Sequence, residues 1–277
     1  MATITAQMVK DLRAKTDLPM MECKQALTEN DGNVEAATEW LRKKHKGKLA
    51  ERADRATGEG RIGVYIDESG KVGAIVELQC ETTPVGKNEL FVDLANAFAK
   101  KAAESGEASP SVESLRKDPA LDQQFTDVYG KLRETMNLTK AQRVTGEFLA
   151  SYVHHDGKSG VLLALDATPK SDKNIGGDLC MHALFTKPLA INREGVSAEA
   201  VARIRSDAIE MAKAEGKPDQ IVEKIAEGKV NAFYGERVLM EQLHVKTDDY
   251  PKTKICDVLK QAGVTAVTGL AIFKVGD

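Results

Sequence analysis

His154, His155 and Asp156 stand consecutively in SYVHHDGKSGVLL, and three such side chains would suit a divalent metal if one ion could reach them all. They close an alternating, strand-like run, where neighbouring side chains point to opposite faces, so the two imidazoles are not expected to converge on one ion. Cys180 and His182 raise the same chemistry in CMHALF. Two residues apart on a helix, they are separated by about 200° around the axis and face different ways. The cysteines at 23, 80, 180 and 256 are far apart, with no C-x-x-C pair. The chain holds no Walker-type phosphate loop, no G-x-S-x-G elbow and no H-E-x-x-H motif. Carboxylates are plentiful, but spacing singles out no pair for acid–base work. The expectation is a protein without catalytic residues, metal or cofactor, whose chemistry is recognition.

The stretch best placed for recognition is ETTPVGKNELF at 81–91, between the apolar, β-rich GAIVELQC and the helix-patterned ELFVDLANAFAKKA. A strand-to-helix corner presents backbone and side chains outward from a rigid scaffold. Pro84 suits the first turn of a helix, and Thr83 is a candidate N-cap for it.

The composition narrows the partner. With 42% apolar and 29% charged residues among 277, the chain is globular and long enough for two or three small domains. Lys and Arg (39) are balanced by Asp and Glu (42) and interspersed with them, so no broad basic footprint for nucleic acid exists and a protein partner fits better. No run of ~18 uncharged apolar residues predicts a membrane span. The dispersed cysteines and the lack of a leader pattern point to a cytoplasmic protein.

The positioning elements follow from periodicity. TAQMVKDLRAKT reads as a helix capped by Thr5, with Met8, Val9 and Leu12 on one face. MMECKQALTEN reads as a second, started at Pro19 and ended by Asn30-Asp31-Gly32, and VEAATEWLRKK as a third whose Trp40 and Leu41 close a small core. HKGKLAERADRATGEG, charged and without an apolar stripe, reads as a linker. RIGVYIDESGKVGAIVELQ is then a hairpin around Glu68-Ser69-Gly70, followed by the corner and a helix through Ala99. Tyr65, Gly70, Lys71 and Gly73 recur as Tyr152, Gly157, Lys158 and Gly160 at an offset of 87, which implies a duplicated hairpin-plus-helix unit. In SAEAVARIRSDAIEMAKAEG, Ser197 caps a helix with Val201, Ile204, Ala208 and Met211 along a seam. After Gly216-Lys217-Pro218, Ile221, Ile225 and Ala232 answer it, predicting a helical hairpin. A helix in KICDVLKQAG and a strand in VTGLAIFKV finish the chain.

MMECKQALTEN, NELFVDLA, SYVHHDGKSGVLL, CMHALF and GKPDQIVEKIAEGKVNAFYGE, in that order between Ile4 and about Val275, resemble bacterial elongation factor Ts. The resemblance implies an α+β chain in four parts. These are an N-terminal three-helix domain of ubiquitin-associated type (1–46), a linker (47–58), and two related α/β core subdomains (59–138 and 139–277), with a coiled-coil hairpin inserted at 197–236. It implies a guanine-nucleotide exchange factor that ejects GDP from elongation factor Tu without chemistry of its own, with no direct contact to nucleic acid or membrane. A binding module or chaperone-like partner that holds elongation factor Tu without exchange is the alternative.

The resemblance also assigns residues. The family's T-D-F-V corner, which presses beside the partner's Mg²⁺ and phosphate site, falls on Thr82, Thr83, Pro84 and Val85, so its acid and its aromatic ring are missing here. Phe91 does not replace the ring, since the family has a matching phenylalanine there. Met20, Met21 and Lys24 match a contact helix, although a core role is expected for one of the methionines. His154 matches a hairpin histidine facing a distal β-domain of the partner, and His182 matches an M-H helix. The final helix carried by many members is expected to be absent after Asp277.

Overall fold

The computed structural model describes residues 3–277 apart from residue 53. The chain opens with α1 (Ala6–Thr16), α2 (Met20–Glu29) and α3 (Val34–Glu51), packed around Leu12, Cys23, Ala26, Leu27 and Leu41. Thr5 caps α1 as expected, its hydroxyl accepting the Met8 N–H at 3.2 Å. Trp40 only borders this core, with Lys44 Nζ 4.8 Å from its ring centre.

Helix α3 runs to Glu51, well into the segment read as a linker. The reason is tertiary, because Leu49 packs against the core of the next part and the polar residues just before it have polar partners on a later helix. Arg42 clasps Asp127 at 3.0 and 3.2 Å, and Lys46 reaches Asp122 at 2.8 Å. His45 is buried against Glu22 and the edge of Tyr129.

The next part comprises β1 (Glu59–Ile66), β2 (Val72–Cys80), α4 (Thr83–Gly86), α5 (Glu89–Glu104), α6 (Val112–Lys117), α7 (Pro119–Leu132) and β3 (Met136–Thr145). The last part comprises β4 (Phe148–Val153), β5 (Ser159–Leu165), α8 (Ile175–Thr186), α9 (Ala198–Ala214), α10 (Asp219–Arg237), α11 (Ile255–Gln261) and β6 (Val267–Lys274). The chain is thus mixed α+β, with two three-stranded antiparallel sheets among the described residues, ordered β1-β2-β3 and β4-β5-β6. Sequence reading found neither α6, α7 nor β3, and the boundary expected after Leu138 falls inside β3. MNLTKAQRVT hides its strand character because β3 is an edge strand whose outer residues stay polar.

The offset of 87 extends to the pairing itself. Tyr65 faces Ala74 as Tyr152 faces Val161, and Val72 faces Thr145 as Ser159 faces Lys274. Register shifts on the central strands also correspond, at Glu77/Leu78 and at Ala164/Leu165. Gly70 and Gly157 occupy the left-handed region at φ 69° and 74°, as the two hairpin turns require.

Alternation along the central strands decides the layering. On β2, Ala74, Val76 and Leu78 face α5 and α7; on β5, Val161, Leu163 and Leu165 face α8 and α11. The intervening residues Ile75, Leu162 and Ala164 join Ile62, Val144, Leu149 and Ala271 in a core between the sheets. Glu77 shares this inner side of β2 and is fully buried, held by Lys140 Nζ at 3.1 Å and the Gly276 N–H at 2.9 Å. The ion pair offsets a charge which would otherwise be costly to bury, while Oε1 takes the hydrogen bonds and Oε2 has none among the described residues.

Helices α9 and α10 pack as a hairpin, with Arg205 and Glu223 bridging at 2.7 Å. Their buried seam is Ala208, Ala212, Val222 and Ala226; Met211 and Ile221, assigned to it by periodicity, are 62% and 47% exposed. Ala208 keeps its expected place, and beyond it the seam lies one residue along from the bulky stripe, on Ala212, Val222 and Ala226, where small alanines allow close approach. Among the described residues no helix is long and apolar enough to cross a membrane.

Candidate functional site

Thr82, Thr83 and Pro84 are exposed at the end of β2, while Val85 turns inward to the core beneath them. The N-cap position of α4 falls on Thr82, one residue before the position expected, and its side chain makes no cap bond. Instead Glu134 Oε1 accepts the Thr82 hydroxyl at 2.5 Å, and Glu134 Oε2 accepts the Thr82 backbone N–H at 2.9 Å. Thr83 donates its hydroxyl to Glu59 Oε2 at 2.8 Å. The same Glu59 oxygen lies 2.6 Å from Lys158 Nζ, and this bond, with that of Thr83, holds the Glu59 carboxyl below its usual range. Cys80 sits under the corner, where burial, with Glu134 adding its charge, pushes the thiol up to about 12. Such a thiol is no nucleophile at neutral pH.

Lys158 belongs to the turn that carries His154. Gly157 N–H donates to His154 O at 2.8 Å, and Gly157 O accepts the Ile62 N–H at 2.8 Å, which docks this turn on β1. The corner and the His154 turn, expected to work on separate halves of a partner, are therefore joined through Thr83, Glu59 and Lys158. His154 itself is half-buried, with Nδ1 3.1 Å from the Tyr152 hydroxyl. Both histidines lie beyond the end of β4, so their rings approach to 4.2 Å instead of alternating across a strand. Among the described residues no group of three or more His, Cys, Asp or Glu could hold a metal ion.

On α2, Met20 and Met21 are 37% and 73% exposed and Lys24 is exposed, so neither methionine serves the bundle core. Cys23 and Leu27 take the inward positions.

His182 is fully buried, which corrects its assignment as a contact residue. Its Nε2 lies 2.9 Å from Gln242 Oε1, and its Nδ1 accepts the Val245 N–H at 3.2 Å. Nδ1 is therefore unprotonated in the neutral ring and Nε2 carries the proton. Burial lowers its pKa. What His182 supports is the loop around Leu243 and Val245, which with Phe185 on α8 are exposed apolar residues.

Sequence reasoning missed Glu59, Glu134 and Phe185. Lys158 was visible as the repeat of Lys71, but its partner was not. No spacing rule links residues 59, 134 and 158 to the corner, since their proximity comes from strand pairing and sheet packing.

A family model described as Elongation factor TS matches residues 81–277. The chain is 42% identical over 279 residues to the Elongation factor Ts of Ralstonia nicotianae, covering 100% of this chain and 92% of that protein. It is 41% identical over 261 residues to the protein of that name from Clostridium botulinum, covering 91% and 85%. It is 40% identical over 280 residues to that from Bordetella avium, covering 100% and 93%.

Proposed function

Because the chain belongs to the elongation factor Ts family, we propose that it is a guanine-nucleotide exchange factor for elongation factor Tu. The observation that carries this reading is likeness over the whole chain, which includes both sheets and the corner between β2 and α5. In this reading the exchange factor binds elongation factor Tu·GDP and lays Thr82-Thr83-Pro84, backed by Val85, against the site that holds Mg²⁺ and phosphate. It makes and breaks no covalent bond. Displacement is reciprocal: if exchange factor and nucleotide weaken one another on the partner, either can drive the other off.

The three-helix part acts as a ubiquitin-associated-type domain, with Met20, Met21 and Lys24 as contacts; exposed thioethers adapt to a partner surface. The two sheets with their helices act as related subdomains, divided near residue 146 between β3 and β4. The first serves the nucleotide domain of the partner and the second a distal β-domain, through His154 and the Phe185, Leu243 and Val245 surface. His182 serves that surface from below. The α9–α10 hairpin is a coiled-coil handle.

The chain will speed release of a fluorescent GDP analogue from elongation factor Tu of the same organism, in proportion to its concentration. Release unchanged under saturating binding would sink the exchange reading. It would favour a non-exchanging or chaperone-like binding module, the reading supported by a corner without acid or aromatic ring.

His154→Ala will weaken the complex by roughly 1–2 kcal/mol, the cost of truncating one well-buried interface side chain. The fold will persist, because the turn is held by its backbone, His154 N–H to Ser159 O at 2.9 Å. Wild-type affinity in the folded variant would remove His154 from the interface.

A further inference from the structure

The exposed corner is held by carboxylates from distant parts of the chain. Glu134, in the loop before β3, spends one oxygen on the Thr82 hydroxyl and the other on the Thr82 N–H. In the opposite direction Glu81 Oε1 accepts the Thr135 N–H at 2.8 Å. The chain leaving β2 and the chain entering β3 are thus clipped twice, 81 to 135 and 134 to 82. Glu59 is ion-paired with Lys158 and Glu81 with Arg55, whereas Glu134 has no ion-pair partner among the described residues. Glu134 is also only half-buried and outside every hydrophobic core cluster. Its carboxylate orders two donors of one exposed residue, at a helix start that lacks a side-chain cap. Hydrogen bonds to a charged acceptor are the strong kind, and the bidentate pattern fixes direction as well as distance.

We propose that Glu134 is a positioning residue for nucleotide release: it holds Thr82, and through it the Thr83-Pro84 tip, in the one shape that displaces the partner's nucleotide. This rests on the reading of the corner as the release wedge. Residue 83 carries no charge and residue 84 no aromatic ring, so the corner acts as rigid backbone and depends on what fixes it. A side chain acting by position affects how far bound partner is driven toward release, and has little effect on how tightly it docks through the remaining surfaces.

The test is the release of fluorescent GDP from elongation factor Tu against concentration of the full chain, with maximal rate and half-saturating concentration read separately. Glu134→Ala will lower the maximal rate about tenfold, the equivalent of one hydrogen-bonded contact, with little change in half-saturating concentration. Glu134→Gln keeps one acceptor for the N–H and offers its amide to the hydroxyl, so it will restore most of the rate. An unchanged maximal rate in Glu134→Ala overturns the proposal. So does a glutamine variant as slow as the alanine one, since glutamine still reaches both the Thr82 N–H and its hydroxyl. So does a lower unfolding temperature with a raised half-saturating concentration and a normal maximal rate, the mark of a merely structural residue. Replacing Thr82, Thr83 and Pro84 together by alanine separates the two readings. If that variant releases GDP normally, the corner is not the wedge; if it is slow while Glu134→Ala is normal, only the role of Glu134 falls.

Discussion

Valine at Gly130 will cost the chain about 3 kcal/mol of stability, the upper end for overpacking a tight contact, and will weaken binding to elongation factor Tu with it. A Cβ at Gly130 on α7 would lie 2.4 Å from His45 Nδ1 and 3.4 Å from Leu18 Cδ2. The imidazole cannot swing away cheaply, because Nε2 lies 3.2 Å from Glu22 Oε2 and the ring stands edge-on to Tyr129. On an open helix face, replacing glycine would gain up to about 1 kcal/mol of propensity. Here the clash is larger, and α3 must move off α7, stretching Arg42–Asp127 and Lys46–Asp122. Met20, Met21 and Lys24 ride on the same bundle and would turn relative to the corner. Calorimetry and the half-saturating concentration for GDP release measure the two effects. Adding His45→Ala to the valine variant will recover part of the stability, since it opens the space the valine needs. A valine variant with wild-type unfolding temperature would mean that the bundle is not seated on α7 in this way.

Acidification will remove stability well before the carboxylates titrate. His244 is almost fully buried, its Nδ1 accepting the Lys246 N–H at 3.0 Å, and burial, with His182 nearby, pushes its pKa down to about 4 from the ordinary 6.5. His45 and His182 are lowered too, both chiefly by burial. A histidine lowered in the folded state stays neutral while the unfolded chain takes up its proton. Its contribution is therefore complete above the unfolded pKa and is lost as pH falls toward the folded one. For one such group the slope is about 1.4 kcal/mol per pH unit, on the order of 3 kcal/mol for His244 across its window. Glu22, Glu59, Glu81 and Glu241 are shifted below 4.5, so their losses begin only at lower pH. Unfolding free energies at half-unit steps from pH 7 to 5 give the proton count directly. His244→Asn, which keeps an acceptor near the Lys246 N–H, will reduce that count by about one. The same slope in both proteins would show that His244 already titrates normally in the fold.

Much of this protein was determined by local rules that act over a few residues. Thr5 caps α1, Gly70 and Gly157 take the left-handed turns, and apolar alternation marks β1, β2 and β5. The offset of 87 carried further than the four positions that revealed it, because a duplicated strand pair keeps its register and its bulge along with its glycines. The family was legible for a related reason: several short motifs keep their residue types and their order along the chain, although the corner does not.

What depends on neighbours distant in sequence was decided only by the tertiary structure. The end of α3 looks like linker until Leu49 packs against the core under α5 and α7, just after Lys46 meets Asp122 on α7. His182 looks like a contact residue until Gln242 and the Val245 N–H enclose it. Met211 has the spacing of a seam residue, but Ala212 lets the helices come closer and takes its place. At the corner the sequence supplies two threonines and a proline, which by themselves read as a plain cap. Strand pairing brings Glu134 to Thr82, and packing of one sheet on the other brings Lys158 to Glu59 and so to Thr83. Hydrogen bonds and ion pairs have no sequence period, so no pattern along the chain announces them; only the folded register sets which carboxylate meets which hydroxyl.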